Sequence, residues 1–228
     1  LNEKLITIAT SISNFETVRN FSNEFSGVFF SLGTHPHQAK DFEQQHLDEL
    51  RKEKGNPKFV AVGEIGLDFH YNFSPHEKQI DVFKQHLELA IELEMPVIIH
   101  TREADKEMGQ ILTEYGPKMK QKGVVHSFSS GEKLAQDAIN QGFYLGFNGM
   151  STFKNAENVR SVIQLTPMDK ILVETDAPFL TPDPFRGREN TPLYLPLVAQ
   201  KIIELKNIDP LDALQQFHQN SQSCFKLS

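Results

Sequence analysis

Four residues of metal-ligating type come close behind short apolar runs: Glu64 after Val60-Ala61-Val62, His100 after Ile98-Ile99, His126 after Val124-Val125, and Asp176 after Ile171–Glu174. Two imidazoles and two carboxylates suit a borderline cation such as Zn²⁺, and equally Mn²⁺ or Fe²⁺, while the carboxylates admit Mg²⁺. One or two such ions per chain are expected. A divalent ion polarises a carbonyl or phosphoryl oxygen and brings the pKa of water down towards about 7, which is hydrolytic chemistry. Any one polar residue at a strand end marks only where a chain leaves its core for water. The agreement of all four in type and position is what points to a shared site.

Side chains this far apart in sequence meet only if the elements carrying them end in one place. Short β-branched runs alternate with longer amphipathic stretches, the pattern of a parallel sheet with helical crossovers. Strands are predicted at Leu5–Thr10, Val28–Gly33, Phe59–Val62, Val97–His100, Val124–His126, Tyr144–Phe147 and Ile171–Glu174. The clearest helix is Pro75–Glu94, with Ile80, Phe83, Leu87 and Ile91 at helical spacing, and two more close the chain at Leu193–Leu205 and Pro210–Phe217. His76 and His86 lie on the first of these helices and are given no role. The carboxyl ends of parallel barrel strands share one face, where loops converge on the axis. The expected fold is therefore an α/β barrel of TIM (β/α)8 type, one domain over residues 1–228. Seven strands do not close eight positions, and Leu1-Asn2-Glu3-Lys4 carries no initiator Met, so the first strand and helix are expected to be missing from this chain. Ala177–Thr191, rich in Pro and charge, is predicted to be a loop over one face.

Composition narrows the partners. The 228 residues are 39% hydrophobic and 23% charged, ordinary for a chain that buries a sizeable core. The longest apolar runs fall far short of the roughly 20 residues a bilayer demands, so no membrane span is predicted. The single cysteine, Cys224, excludes an internal disulfide and a cysteine-cluster zinc site and fits a reducing cytoplasm. A net charge of −7 does not suit a protein that coats long duplexes, so nucleic-acid contact is expected locally, at a pocket, in a monomer.

Six segments resemble, in order, the motif series of the TatD-type metal-dependent deoxyribonucleases: Gly33-Thr-His-Pro-His37, Gly63-Glu-Ile-Gly-Leu-Asp68, Pro96-Val-Ile-Ile-His-Thr-Arg102, Val125-His-Ser-Phe128, Thr152-Phe-Lys-Asn-Ala156 and Val173-Glu-Thr-Asp-Ala-Pro178. The resemblance implies an amidohydrolase-like TIM barrel that hydrolyses DNA or another phosphodiester with divalent metal. It implies that Glu64 is a carboxylate able to bridge two metals, that His100 and His126 are ligands, and that Asp176 is a ligand that also takes the proton of the attacking water. Many members carry a His-x-His pair at the end of a first strand that this chain does not include. Arg186-Gly-Arg-Glu-Asn190 resembles the members with that pair, so lowered metal occupancy is expected here. Phe217-His-Gln-Asn220 stands where the family more often has threonines before Asn.

Arg102, two residues beyond His100, is expected to grip substrate phosphate, as a guanidinium does bidentately. Its bland alternative is an ion pair with Glu103 or Asp105. His35, beside Pro36, is expected to hydrogen-bond phosphate; otherwise it and His37 cap a stiff turn. Arg186 and Arg188, on the long loop, either meet phosphate or are solvated. Two rival functions remain. A metal-dependent hydrolase of amides, lactones or esters uses the same activated water, and phosphate-gripping arginines separate it from a phosphodiesterase. An inactive binding or scaffold protein would have no reason to bind metal at Glu64, His100, His126 and Asp176.

Overall fold

The computed structural model describes residues 4–227, so Leu1–Glu3 and Ser228 lie outside the described residues. The chain divides into two compact units, one ending at Gly123 and the other beginning at Val124.

In the first unit strands and helices alternate: β1 (Leu5–Ala9), α1 (Phe15–Glu24), β2 (Val28–Leu32), α2 (Gln44–Lys52), β3 (Phe59–Asp68), α3 (His76–Leu93), β4 (Val97–Arg102) and α4 (Asp105–Tyr115). β1 pairs with β2, β2 with β3 and β3 with β4, all parallel. Every residue of β2 and β3 is buried, as expected of parallel strands covered on both faces. α3 turns Val82, Phe83, Leu87, Ala90 and Leu93 inward. Phe83 and Leu87 are almost wholly buried, and each such side chain stabilises the fold by about 1.5–3 kcal/mol. α3 ends at Glu94, whose left-handed φ of 55° stops the helix.

The second unit carries β5, which begins at the boundary (Gly123–Val125), then α5 (Glu132–Asn140), β6 (Tyr144–Phe147), α6 (Glu157–Leu165), β7 (Ile171–Val173), α7 (Leu195–Lys206) and α8 (Pro210–Phe225). β5 pairs with β6 and β6 with β7, again parallel. Asp209 caps α8, its carboxylate accepting the amides of Leu211 and Asp212, with Pro210 in the first turn. Among the described residues there are thus seven strands, in the seven places the sequence predicts.

Two boundaries differ in a way that matters. The sequence puts Glu64 and His100 at strand ends, yet both lie inside strands, because β3 continues to Asp68 and β4 to Arg102. Apolar-run reasoning stops a strand at its first polar residue. Here the ladder runs on past it, pairing Ile65 with Ile99, Gly66 with His100, Leu67 with Thr101 and Asp68 with Arg102. The predicted loop at Ala177–Thr191 has no helix or strand, but it is well tied: Asn190, buried, donates to the carbonyls of Thr175 (2.7 Å) and Phe179 (2.6 Å). Among the described residues no helix is long and apolar enough to cross a membrane.

Candidate active site

The register of β3 against β4 shifts between Gly63 and Ile65, so Glu64 is the extra residue of a bulge. Bulges re-aim the side chain they carry. Glu64 Oε1 lies 3.0 Å from His100 Nδ1 and 3.4 Å from His35 Nε2. These three side chains form the group among the described residues whose donor atoms all fall within 4.8 Å of one another, a spacing that one metal ion would fit. The strands close up here because small residues let them. At Gly33 a Cβ would sit 2.7 Å from the Glu64 carbonyl oxygen, and at Gly66, with φ of 141°, it would overlap the His100 carbonyl.

Hydrogen bonding separates the two imidazoles. His100 has a carboxylate at each ring nitrogen, Asp68 3.1 Å from Nε2 and Glu64 3.0 Å from Nδ1; with its proton on Nε2, held by Asp68, the neutral ring would present Nδ1 to a metal. His35 is the opposite case. Its Nδ1 accepts the His37 amide at 3.2 Å, so the proton of the neutral ring is on Nε2 and points at Glu64. Burial lowers the His35 pKa and outweighs the opposing pull of Glu64, so the ring is held neutral.

Asp68, nearly inaccessible, organises this half of the site. One oxygen accepts His37 Nε2 (2.9 Å) and His100 Nε2 (3.1 Å), and the other accepts the amides of His70 (3.0 Å) and Tyr71 (3.1 Å). Burial alone would raise its pKa, but the bonds from His100, Tyr71 and His37 prevail and hold it well below the usual carboxylate range. Gln79 of α3 clamps the same residue, its amide oxygen accepting Asp68 N–H (2.8 Å) and its amide nitrogen donating to the carbonyls of Asp68 and Ser74 (2.9 Å each).

In the second unit His126 follows β5 and is buried. Its Nδ1 is 3.6 Å from Glu174 Oε1, which also accepts the Ser127 amide at 2.6 Å. Gly146 of β6 leaves room for the Glu174 carboxylate, which a Cβ would overlap. Asp176, beyond β7, has φ of 60°, and its carbonyl accepts the Phe179 amide at 2.8 Å. Ser127 beyond β5 and Glu103 beyond β4 are likewise left-handed, at 49° and 53°. Non-glycine residues held there store strain of a kind that concentrates at functional sites.

The structure thus brings Glu64, His100 and His35 together and places His126 and Asp176 in the other unit. Arg102 lies over the Tyr71 ring, 4.9 Å from its centroid. Arg186 lies over Phe153 at 3.6 Å, in a cavity of about 470 Å³ that also exposes Lys154 and Asp183, and Arg188 lies 5.3 Å from the Phe185 centroid. Sequence reasoning missed Asp68 and Glu174, the carboxylates that face His100 and His126. Both stand inside the quoted motifs, and a histidine ligand ordinarily needs such a partner for its second nitrogen.

The chain is similar to known proteins along nearly its whole length. The family model described as TatD related DNase matches residues 2–226. An uncharacterized metal-dependent hydrolase, YabD, of Bacillus subtilis is 34% identical over 99% of this chain and 88% of its own length. A protein named 3'-5' ssDNA/RNA exonuclease TatD, from Erwinia tasmaniensis, is 34% identical over 86% of this chain and 78% of its own. The crystal structure of YjjV, a TatD homologue from Escherichia coli, superposes with a TM-score of 0.93 at 30% identity, over 99% of this chain and 87% of that one. This likeness shows the TIM-barrel type of fold that the strand pattern predicts. With the match running nearly end to end, the chain belongs to the TatD family of metal-dependent hydrolases.

Proposed function

We propose that this protein is a divalent-metal-dependent phosphodiesterase that trims the ends of single-stranded nucleic acid, DNA first. The observation that carries the reading is the cluster at the β3 bulge. There, the Glu64 carboxylate, His100 Nδ1 and His35 Nε2 come within reach of one another, with Asp68 behind the second nitrogen of His100 and the His37 amide behind that of His35. On this reading Glu64, His100, His126 and Asp176 hold one or two ions, with the last two assigned from their places in the family motifs. His35 is not a ligand. Metal at its Nε2 would force the ring proton onto Nδ1, against the His37 amide. It serves instead as a hydrogen-bond donor to a phosphoryl oxygen.

A divalent ion held by these residues supplies electrophilic assistance to the phosphoryl group and lowers the pKa of water. Asp176 accepts the proton of the attacking water. Arg102, kept in place by the Tyr71 ring, grips the phosphate, and Arg186 and Arg188 are further phosphate contacts. The name of the Erwinia relative favours attack from the 3′ end and tolerance of RNA. The buried thiol of Cys224 and the net negative charge favour a cytoplasmic monomer that meets its substrate locally.

The test is turnover on 3′- and 5′-labelled single-stranded oligonucleotides with Mg²⁺, Mn²⁺ and Zn²⁺ compared, for the wild type and Asp176→Asn. Expected is metal-dependent, end-wise cleavage that falls by about 10²–10⁴-fold in the variant, with melting unchanged. Near-normal turnover of Asp176→Asn at saturating metal would overturn the assignment of Asp176.

A further inference from the structure

Between β3 and α3, residues 69–75 carry two large aromatic side chains out into solvent. Tyr71 is 41% exposed and Phe73 is 53% exposed. They stack on each other at 5.3 Å between centroids and 27° between planes, and Arg102 extends the stack over Tyr71. The His37 ring stands edge-on to both, 5.5 Å from Tyr71 and 4.8 Å from Phe73, and meets the His35 ring at 4.4 Å. One imidazole therefore links the metal-capable cluster to the aromatic pair.

Nor is this a loop whose apolar side chains lack a settled place. The Tyr71 amide is fixed on Asp68 and the Phe69 amide on the Arg102 carbonyl at 2.9 Å. Ser74 is pinned from both sides, its hydroxyl donating to the His37 carbonyl (2.9 Å) and accepting the Lys40 amide (3.0 Å), while Gln79 holds its carbonyl. A rigid, exposed aromatic pair has already lost the freedom that binding would otherwise cost it. Beside it sits a guanidinium, which suits a ligand that is at once planar and anionic.

We propose that Tyr71 and Phe73 form a stacking platform for a nucleobase of single-stranded nucleic acid, next to the phosphodiester engaged at the cluster. This rests on the phosphodiesterase reading and adds the part of the substrate that reading leaves out. Stacking is tolerant of base identity, because every base presents a π-face, so the platform selects unpaired strands rather than sequences.

The chain contains no tryptophan, so Phe73→Trp introduces a single indole fluorophore on the platform. The probe is an eight-nucleotide oligothymidylate, paired with the same oligomer in which the bases are replaced by abasic residues, added to protein in EDTA. Expected is quenching of the indole fluorescence of Phe73→Trp by the base-bearing oligomer and not by the abasic one. In anisotropy, wild type should prefer the base-bearing oligomer by about 5- to 150-fold. Phe73→Ala, which leaves the Tyr71–Arg102 contact in place, should reduce that preference while leaving affinity for the abasic oligomer, and melting, unchanged. Equal affinity of wild type for both oligomers overturns the platform. So does an indole signal that responds only to protein concentration, which would mean a second copy of the chain covers the pair. Because the readout is binding without metal, loss of base preference and loss of hydrolysis are separate results. A protein that prefers bases but cleaves nothing retains the platform and sinks the phosphodiesterase reading.

Discussion

Replacing Asp68 with Asn is the sharpest probe of how the site is assembled. The carboxylate accepts four N–H groups, two on each oxygen, and an amide keeps only one oxygen. The backbone amides of His70 and Tyr71 cannot turn away, so the remaining oxygen should stay with them and the new NH₂ should face the two imidazoles. Two donors then oppose each other at His100. The ring relieves this by moving its proton from Nε2 to Nδ1, so that Nε2 accepts from the amide and Nδ1 no longer offers a lone pair to a metal. His37 is a quarter exposed and swings to water. One charge-assisted bond is then lost outright, about 1.5–3 kcal/mol, which lowers Tm by roughly 3–12 °C in a chain of this size. Metal affinity should fall by about 10–100-fold, the usual effect of removing a carboxylate behind a histidine ligand. Calorimetric titration with Mn²⁺ or Zn²⁺ gives the affinity, and ¹⁵N-resolved NMR of the imidazoles gives the tautomer. Unchanged affinity together with a proton still on His100 Nε2 would refute the account of Asp68.

Two other perturbations test the scaffold. Gly66→Ala places a Cβ against the His100 carbonyl at a φ of 141°. It should cost about 2–4 kcal/mol and weaken metal binding at the same time, read by denaturant unfolding and the same titration. His86 is fully buried, and burial, despite its bond to the Val82 carbonyl, lowers its pKa to about 4. In the unfolded chain it titrates near ~6.5. Between these values only the unfolded chain takes up the proton, so the contribution is fully present above pH ~6.5 and is lost as pH falls towards 4. His86→Leu should remove most of a loss of about 2 kcal/mol between pH 7 and 4.5. Equal pH slopes for variant and wild type in urea unfolding would count against it.

The strand series, the long helix α3 and the metal-ligand types are legible in the sequence because each rests on local pattern: β-branched runs, helical spacing, and a Glu or His set into apolar sequence. Three features are not. The bulge that aims Glu64 depends on how β3 pairs with β4, a relation between segments more than 30 residues apart. The tautomers of His35 and His100 depend on bonds made by their second nitrogens, to the His37 amide and to Asp68, and residue type says nothing about them. Asp68 itself reads in sequence as an acidic residue at the start of a loop. Its four bonds arise only when His37, from beyond β2, and His100, on β4, meet it at the end of β3, while Gln79 of α3 holds its backbone. His86, a lone helix histidine by sequence, is a packed core residue in the fold.

The bulge at Glu64 also bears on how this scaffold could change its chemistry over evolutionary time. Because Glu64 has no residue opposite it in β4, exchanging that side chain alters no cross-strand pair, and the ladder on either side, Gly63 with Ile98 and Ile65 with Ile99, keeps its register. A mutation there is paid for in ligand chemistry and hardly at all in sheet stability. The neighbouring glycines have no such latitude, since their missing side chains are what let the strands close. The site therefore combines one position free to explore new donors with a frame that cannot move, and selection for a different metal or substrate has somewhere to act without first unmaking the fold.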